Sequence, residues 1–343
     1  MTDRFRSHVL DPIRAHSGQK FKPLQRDGLT WGYEQDDDHR TVQLSIDAAE
    51  LVGNVRNDGP SAPVFALCLA AALGETDGAP TRTEITVVGR GPALPHYGYK
   101  TSKDLLQFRR SAFLLHALSD LLGDRFVVEM HEDDRWEWPE WTWFSIEGYR
   151  KNKGAPTGGR SRLAWELELN PDVFKAFCSA VEPICRFQSL MPTVVHSGEV
   201  TKESHWTVGG KTGVPLWTAS TDGRRLHLFE LDTSSSGGNV GCLAEALCNG
   251  FVLDYVFDRH GHYDPKGVGL KAVRRARRMS FWLTAQAYHP LVFDREDGDS
   301  AVLTLLNRAL RRHSFQLGVL PWEGEVTTPS FAFEELWGGG LKK

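Results

Sequence analysis

The chain has 343 residues, of which 41% are hydrophobic and 24% are charged, and its formal net charge is −4 at pH 7. This is the composition of an ordinary globular protein, which excludes a disordered or fibrous chain. The slightly acidic balance gives no overall attraction to nucleic acid or to anionic membranes, so any site for a polyanion must be a local patch. The length alone suggests two domains.

The N-terminal stretch and the cysteines bear on the cellular compartment. The N-terminal stretch contains no apolar segment of signal-peptide length, and no run approaches the roughly 18 to 20 apolar residues that span a bilayer. We therefore expect a cytoplasmic protein with no membrane contact. The cysteines, at positions 68, 178, 185, 242 and 248, are odd in number and lie in apolar helical contexts, which predicts reduced core thiols rather than disulfides or a zinc site.

The first part of the chain predicts an α/β module. Alternating apolar runs predict four strands, at residues 29–33, 40–46, 83–88 and 126–130. An almost uniformly apolar segment predicts a buried helix at 63–73, and a second helix runs from a cap at Thr101 or Ser102 to Gly123. The acidic triplet Asp36–Asp38 is typical of a solvated turn. We find no phosphate-binding glycine loop and no internal repeat.

A tryptophan-rich acidic segment, 131–143, ends this module. Its aromatic rings could stack on bases or sugars, although the neighbouring acids disfavour a nucleic-acid backbone. We favour a partly buried edge or an interdomain contact, and the same rings are our candidates for binding a protein partner: Trp136, Trp138, Trp141 and Trp143. The basic, glycine-rich stretch 150–162 is typical of a linker, so we predict an N-terminal module at 1–150 and a second module at 151–343.

The second module is organised around a strand, a loop and a helix in its middle. Because successive side chains of a strand point to opposite faces, Glu230 and Asp232 share one face at the end of the strand. The turn Thr221–Gly223 carries the Asp-Gly signal of a tight hairpin, so the strand is predicted to pair antiparallel with residues 214–220. Apolar residues at helical spacing predict a helix over Leu243–Leu253.

This segment resembles the core of the PD-(D/E)XK nuclease superfamily, in which an acid precedes or lies on one strand of a hairpin, the next strand carries Glu-x-Lys, and a helix packs on the sheet. The strand HLFELDT and the helix VGCLAEALCNGFVLDYV carry the resemblance, which covers about thirty residues of the 343. The resemblance implies a central mixed sheet with flanking helices, Mg²⁺ or Mn²⁺ held by Glu230 and Asp232, and Glu245 as a further catalytic candidate. Two positions depart from the family pattern: Asp232 replaces the lysine, and Trp217 stands where the first metal-binding aspartate is expected.

Two further features follow this helix. The spacing of His260, His262 and Asp264 suits a Zn²⁺ or Mn²⁺ site, and equally suits a loop that ends the helix. The next run is basic and predicts either a surface that neutralises the phosphates of DNA or RNA or a solvated face; its cations are Lys266, Lys271, Arg274, Arg275, Arg277 and Arg278. Met279–Tyr288 is expected to be helical. A helix at 301–312, capped by Asp299 or Ser300, and a late strand at 315–320 follow.

These observations predict a mixed α/β chain and leave two functions open. The first is a catalytically degenerate PD-(D/E)XK-like subunit of a bacterial DNA-processing or defence system, which associates with nucleic acid or forms a complex with other proteins. The alternative is an active nuclease that hydrolyses phosphodiester bonds through Glu230 with Mg²⁺ or Mn²⁺. The missing lysine and the missing first aspartate favour the first, because the chemistry needs those positions most.

Overall fold

A computed structural model describes residues 2–18, 21–92, 103–139, 142–144, 170, 172, 188–197, 206–207, 213–232, 240–258, 276–294, 298, 300–323 and 330–331. The chain begins with a short helical segment, formed by α1 (Asp3–Phe5), a π-helical turn (Arg6–Leu10) and α2 (Asp11–Ser17). None of the described helices is long and apolar enough to cross a membrane.

The first sheet lies in the N-terminal part of the chain. Its strands and connecting helices are β1 (Leu29–Gln35), β2 (Arg40–Asp47), α3 (Asp58–Asp77), β3 (Thr81–Val88), α4 (Lys103–Leu122) and β4 (Phe126–Glu129). The strand order is β1-β2-β3-β4, with β1 and β2 antiparallel and the other neighbours parallel. In β1, Leu29, Trp31 and Tyr33 are buried whereas Thr30 and Glu34 are exposed, so the sheet buries one face and leaves the other polar.

The second sheet lies in the C-terminal part. The elements of this part are β5 (Thr142–Phe144), β6 (Gln188–Pro192), β7 (Val195–Ser197), β8 (Gly213–Ala219), β9 (Arg225–Asp232), α5 (Gly241–Asp258), β10 (Arg278–Ala285), α6 (Ala301–Ala309), β11 (Phe315–Val319), β12 (Trp322–Glu323) and β13 (Ser330–Phe331). The order of the main sheet is β11-β10-β9-β8-β6. Strands β6, β8 and β9 are antiparallel neighbours, and β9, β10 and β11 run parallel. The short strands form two antiparallel pairs, β5 with β7 and β12 with β13.

The two sheets share one connectivity. Each contains a hairpin, a crossover helix, a parallel strand, a second helix and a last parallel strand: β1-β2-α3-β3-α4-β4 and β8-β9-α5-β10-α6-β11. The registers correspond as well, since Asp47 pairs with the last residue of β3 and Asp232 pairs with the last residue of β10. The repeat is therefore visible in the topology, although the sequence does not reveal it.

The helices lie between the two sheets. Helix α3 packs against β2 and β3 on one side and against α5 and α6 on the other, while α5 packs on the second sheet and against α4. This position explains why α3 and α5 are apolar nearly all round, because each helix is covered on both sides. Gly241 permits a close approach at the start of α5: a Cβ there would lie 2.2 Å from the carbonyl oxygen of Arg56.

Several predictions of secondary structure can be compared directly with the fold. The mixed α/β class with flanking helices is confirmed. The hairpin is also confirmed, since β8 and β9 pair antiparallel across a turn in which Gly223 has a φ of 70°. The helix expected at Met279–Tyr288 is wrong: β10 occupies most of this range. Its side chains from Met279 to Ala285 are all buried, so the two-residue alternation that marks a half-exposed strand is absent.

The cysteines and the domain boundary were also predicted from the sequence. Cys68, Cys242 and Cys248 are buried, reduced thiols, as predicted, and the other two cysteines lie outside the described residues. The boundary predicted at residue 150 also lies outside the described residues. Because the described helices of both sheets share one hydrophobic core, the division into two modules stays a prediction.

Candidate functional site

The carboxylate of Glu230 lies in the interior of the protein. Glu230 is 0% exposed, near the carboxyl end of β9, on the face that packs against α5. Its Oε2 accepts a hydrogen bond from Nη2 of Arg56 at 2.8 Å, and its Oε1 accepts one from Nδ2 of Asn249 at 2.7 Å. Arg56 comes from the loop before α3 and also donates to the carbonyl of Leu231. The predicted catalytic acid therefore joins the second sheet to the first half of the chain.

Glu245 takes part in the same group of side chains. Its Oε1 accepts from Nη2 of Arg110 in α4 at 2.8 Å, and its Oε2 lies 3.8 Å from Nε of Arg56. Arg110 also donates to Oδ1 of Asn249, which accepts a second hydrogen bond from the hydroxyl of Thr193. We call these six side chains the buried network: Arg56, Arg110, Thr193, Glu230, Glu245 and Asn249.

The buried network balances two guanidinium groups against two carboxylates. Side chains this deeply buried would be costly to charge without partners, and pairing offsets most of that cost. Burial lowers the pKa of Arg110, but the adjacent carboxylate of Glu245 outweighs it, so this pKa lies above its usual range. Burial also lowers the pKa of Arg56, but nearby groups, among them the Cys242 thiol and the two carboxylates, outweigh it and raise this pKa. Both arginines are therefore permanently charged.

The geometry bears on whether a divalent metal fits at Glu230. Mg²⁺ and Mn²⁺ need carboxylate oxygens that face the ion, with further oxygen ligands around it. Both oxygens of Glu230 instead face hydrogen-bond donors, and the guanidinium of Arg56 occupies the place where a cation would bind. Within the described ranges, no group of three or more His, Cys, Asp or Glu side chains is arranged to hold a metal ion. The residues around Glu230 therefore do not fit such an ion, and its role as a metal ligand stays a prediction.

Asp232 is placed two residues further along the same strand. It is the last residue of β9, half-buried, and pairs in register with Ala285 of β10. The strand alternation directs it to the same side of the sheet as Glu230. The predicted trio of Glu230, Asp232 and Glu245 thus lies at one end of β9 and α5, and its two glutamates are held by arginines. The loop with His260, His262 and Asp264 lies outside the described residues.

A second feature lies at the opposite end of the second sheet. A pair of arginines stands at or just before the amino end of each of three neighbouring parallel strands. We call these six residues the arginine edge: Arg224, Arg225, Arg277, Arg278, Arg311 and Arg312. Five of these side chains are exposed and Arg225 is half-buried. The strand register places Arg225 beside Arg278, and the backbone N–H of Arg277 donates to the carbonyl of Arg224 at 2.7 Å. Sheet topology therefore gathers three sequence-distant pairs into one surface.

The arginine edge includes only part of the predicted basic segment. Arg277 and Arg278 belong to it, whereas Lys266, Lys271, Arg274 and Arg275 lie outside the described residues. Asp222 stands near the edge; hydrogen bonds from the Ser220 hydroxyl and the Arg224 backbone, followed by the charges of Arg224 and Arg225, lower its pKa. Glu230 lies five positions along β9 from Arg225, which is roughly 17 Å at about 3.3 Å per residue. A polyanion bound at the edge is therefore remote from the predicted catalytic acid.

The described tryptophans of the acidic segment pack inside the protein. Trp136 is 5% exposed and contacts Phe113 of α4 with 4.9 Å between ring centroids. Trp138 stacks on Tyr255 of α5 at 3.6 Å and contacts the same Phe113. These rings join α4 to α5, which agrees with the expected partly buried contact. Trp141 and the side chain of Trp143 lie outside the described part, and binding of a protein partner stays a prediction.

The sequence interpretation missed Arg56, Arg110 and Asn249. A signal for Arg110 was present, because it stands four residues after Leu106 and three before Phe113, on the apolar face of α4. Asn249 likewise follows Glu245 by four residues within a helix that is otherwise apolar. A charged or amide side chain at such a position predicts a buried polar partner. No comparable signal marks Arg56, which lies in a loop.

Comparison with known proteins adds no assignment: no protein family model, no curated protein and no solved structure matches this chain.

Proposed function

We propose that this chain is a nucleic-acid-binding protein built on a degenerate PD-(D/E)XK-like core, and that it acts without cutting, as a subunit of a bacterial DNA-processing or defence system. The arginine edge carries the proposal. It places six cationic side chains along the amino ends of β9, β10 and β11, in a chain whose net charge is −4. A local patch of this kind is what an acidic protein needs in order to bind a polyanion.

The geometry of the edge suits the phosphates of a nucleic-acid backbone. Neighbouring strands lie about 4.8 Å apart, so three strands span roughly 10 Å of surface. Guanidinium groups bind phosphate oxygens through two parallel hydrogen bonds, and each neutralised phosphate releases counterions into solution. Contacts of this kind bind without reading the base sequence. We therefore expect salt-sensitive binding with little sequence preference.

Two features support a core that does not cut. The hairpin of β8 and β9, followed by α5 packed on the sheet, agrees with the arrangement that the family resemblance implies. The chemistry of that family, however, requires carboxylates that hold a metal beside the bound phosphate. Here Glu230 binds Arg56 and Asn249 and lies at the other end of the strand from the arginine edge. The carboxylate that catalysis would require instead forms hydrogen bonds in the interior of the protein.

The test combines cleavage and binding on the same protein preparations. Single- and double-stranded DNA and RNA are incubated with Mg²⁺ or Mn²⁺, and binding is measured by fluorescence anisotropy over a range of salt concentrations. The native chain is compared with Glu230→Gln, with the double variant Arg277→Gln/Arg278→Gln, and with a control, Arg125→Gln, whose exposed side chain lies in the first half of the chain. We expect no cleavage by any of these proteins. For the double variant, the slope of log Kd against log salt concentration should be smaller by about two, because each arginine that neutralises a phosphate contributes about one.

Each other outcome has a definite meaning. Metal-dependent cleavage that disappears in Glu230→Gln would establish the active nuclease and overturn the silent core. Cleavage that survives in that variant would point to a contaminant or to another site. Binding that is unchanged in the double variant would remove the arginine edge from the proposal. A chain that neither cuts nor binds would refute the nucleic-acid function and leave a protein partner as the hypothesis to test.

A further inference from the structure

A cavity of about 400 Å³ lies where the two halves of the fold meet. The first half contributes the start of α3, through Asp58, Ser61 and Phe65, and the segment Lys22–Gln25. The second half contributes Val240, the residue before α5, and His289 from the loop that follows β10. We call this space the junction cavity. Its volume falls within the range of about 300 to 1,000 Å³ that small-molecule sites occupy.

The topology places the junction cavity at the carboxyl ends of the parallel strands. Its lining includes the first turns of α3, Val240 directly before α5, and His289 after β10. In open α/β sheets this edge is where ligands bind, because the loops there diverge and the helices begin. The starts of α3 and α5, which are the first crossover helices of their sheets, both reach this place. The cavity is therefore lined by both copies of the repeated unit.

His289 supplies a buried polar group in the wall of the cavity. It is 7% exposed, and its ring lies edge-on to Phe65 and Phe21, with 5.4 Å and 5.9 Å between ring centroids. Burial lowers its pKa to about 4, so the imidazole is neutral at physiological pH. The backbone N–H of Leu291 donates to Nδ1, which leaves the proton on Nε2 as a donor. Within the described part of the chain, no residue accepts that proton.

The remaining lining combines a positive potential with an apolar wall. The amino ends of α3 and α5 both reach the cavity, and each carries about half a positive charge. The exposed side chain of Lys22 adds a full positive charge. The carboxylate of Asp58 reduces this potential. Pro23, Leu24, Phe65 and Val240 offer apolar contacts. This combination suits a small molecule with an anionic end and a flat, partly apolar body.

We propose that the junction cavity binds a small organic phosphate of the nucleoside monophosphate class. The phosphate lies beside Lys22 and the first turn of α3, where backbone N–H groups and the helix dipole favour an anion. The base lies against Phe65 and Leu24, and Nε2 of His289 donates a hydrogen bond to it. Contacts behind the cavity hold this wall in place. Arg56, which belongs to the buried network, packs against Gly241. Arg56 lies two residues before Asp58, and Gly241 directly follows Val240.

The test is a binding titration on the full chain by isothermal titration calorimetry. The probes are the four common nucleoside monophosphates, the matching nucleosides and inorganic phosphate. We expect at least one monophosphate to bind at least tenfold more tightly than its nucleoside and than phosphate alone. Lys22→Glu and His289→Asn should each weaken that binding at least tenfold. Asparagine at position 289 keeps an acceptor near the position of Nδ1 and removes the Nε2 donor. Far-ultraviolet circular dichroism checks that each variant folds.

Two controls separate this site from the arginine edge. Arg125→Glu should leave nucleotide binding unchanged, and so should Arg277→Gln/Arg278→Gln. Conversely, Lys22→Glu should leave the binding of DNA or RNA unchanged. The proposal is overturned if no monophosphate binds at millimolar concentration, or if binding survives both Lys22→Glu and His289→Asn in folded protein. Loss of nucleotide binding in the Arg277→Gln/Arg278→Gln variant alone would assign the nucleotide to the arginine edge and would also overturn it.

Discussion

Removal of Arg110 should destabilise the protein strongly. In the native chain its guanidinium donates to Glu245 at 2.8 Å and to Asn249 at 2.9 Å, and its side chain is 4% exposed. In Arg110→Met, one of the two arginines of the buried network is lost and Glu245 stays buried with an excess negative charge. Breaking a buried pair from one side costs about 3 to 5 kcal/mol. We therefore expect the free energy of unfolding to fall by that amount.

A second substitution, at Glu245, tests whether the unpaired buried charge causes this loss of stability. In the double variant Arg110→Met/Glu245→Leu the network is neutral again, with Arg56 facing Glu230. Replacing both members of a buried pair with apolar side chains of similar volume is often neutral or stabilising. We expect the double variant to recover at least about 2 kcal/mol relative to the sum of the single changes, which is the size of coupling found between residues in contact.

Urea unfolding followed by tryptophan fluorescence and by circular dichroism measures these changes. The control is Arg90→Met, whose partner Asp133 lies 3.8 Å away with both side chains at least 70% exposed, so no measurable change is expected. If Arg110→Met costs less than about 1 kcal/mol, the balanced charges of the network do not stabilise the interior. If the single changes simply add, the two side chains do not act as a pair.

Two further perturbations follow from burial and from close packing. Because the pKa of His289 is lowered from 6.5 to about 4, the unfolded chain takes up a proton below pH 6.5 while the folded chain does not, so stability falls on acidification. At 1.36 kcal/mol per pKa unit, the loss of stability reaches about 3 kcal/mol by pH 4. Unfolding measured at several pH values should show this loss in the native chain and not in His289→Asn. Gly241→Ala should cost about 1 to 3 kcal/mol, because its Cβ would meet a backbone oxygen. Gly74→Ala in α3, whose Cβ has no neighbour closer than 3.8 Å, should instead stabilise by about 0.5 to 1 kcal/mol, and thermal unfolding compares the two.

Local signals were sufficient to predict many of the elements. The alternation in β1, the Asp-Gly turn at Gly223 between β8 and β9, and the serine cap of α6 all act within a few residues, and each is present in the structure. The same reasoning failed for β10, because a central strand buried on both faces has the uniform apolar composition of a buried helix. Periodicity cannot separate the two in a segment of eight residues.

Contacts between distant residues could not be predicted in this way. Arg56 and Glu230 are 174 residues apart, and Arg110 and Glu245 are 135 apart, so no spacing rule connects them. The sequence singled out Glu230 as a carboxylate at the end of a strand, and the family resemblance then implied a metal there. What the sequence could not show is the arginine that the fold of the other half brings to the same place.

The fold places three features at different positions along its parallel strands. The arginine edge lies at the amino ends of β9, β10 and β11, and the buried network lies between the helices. The junction cavity lies at the carboxyl ends of parallel strands from both sheets. Residues from both halves line the junction cavity, whereas the arginine edge belongs to the second sheet only. A ligand in the junction cavity would contact both halves, while a nucleic acid on the arginine edge would contact one. Binding at the two places therefore requires different residues, which is why single substitutions can test them separately.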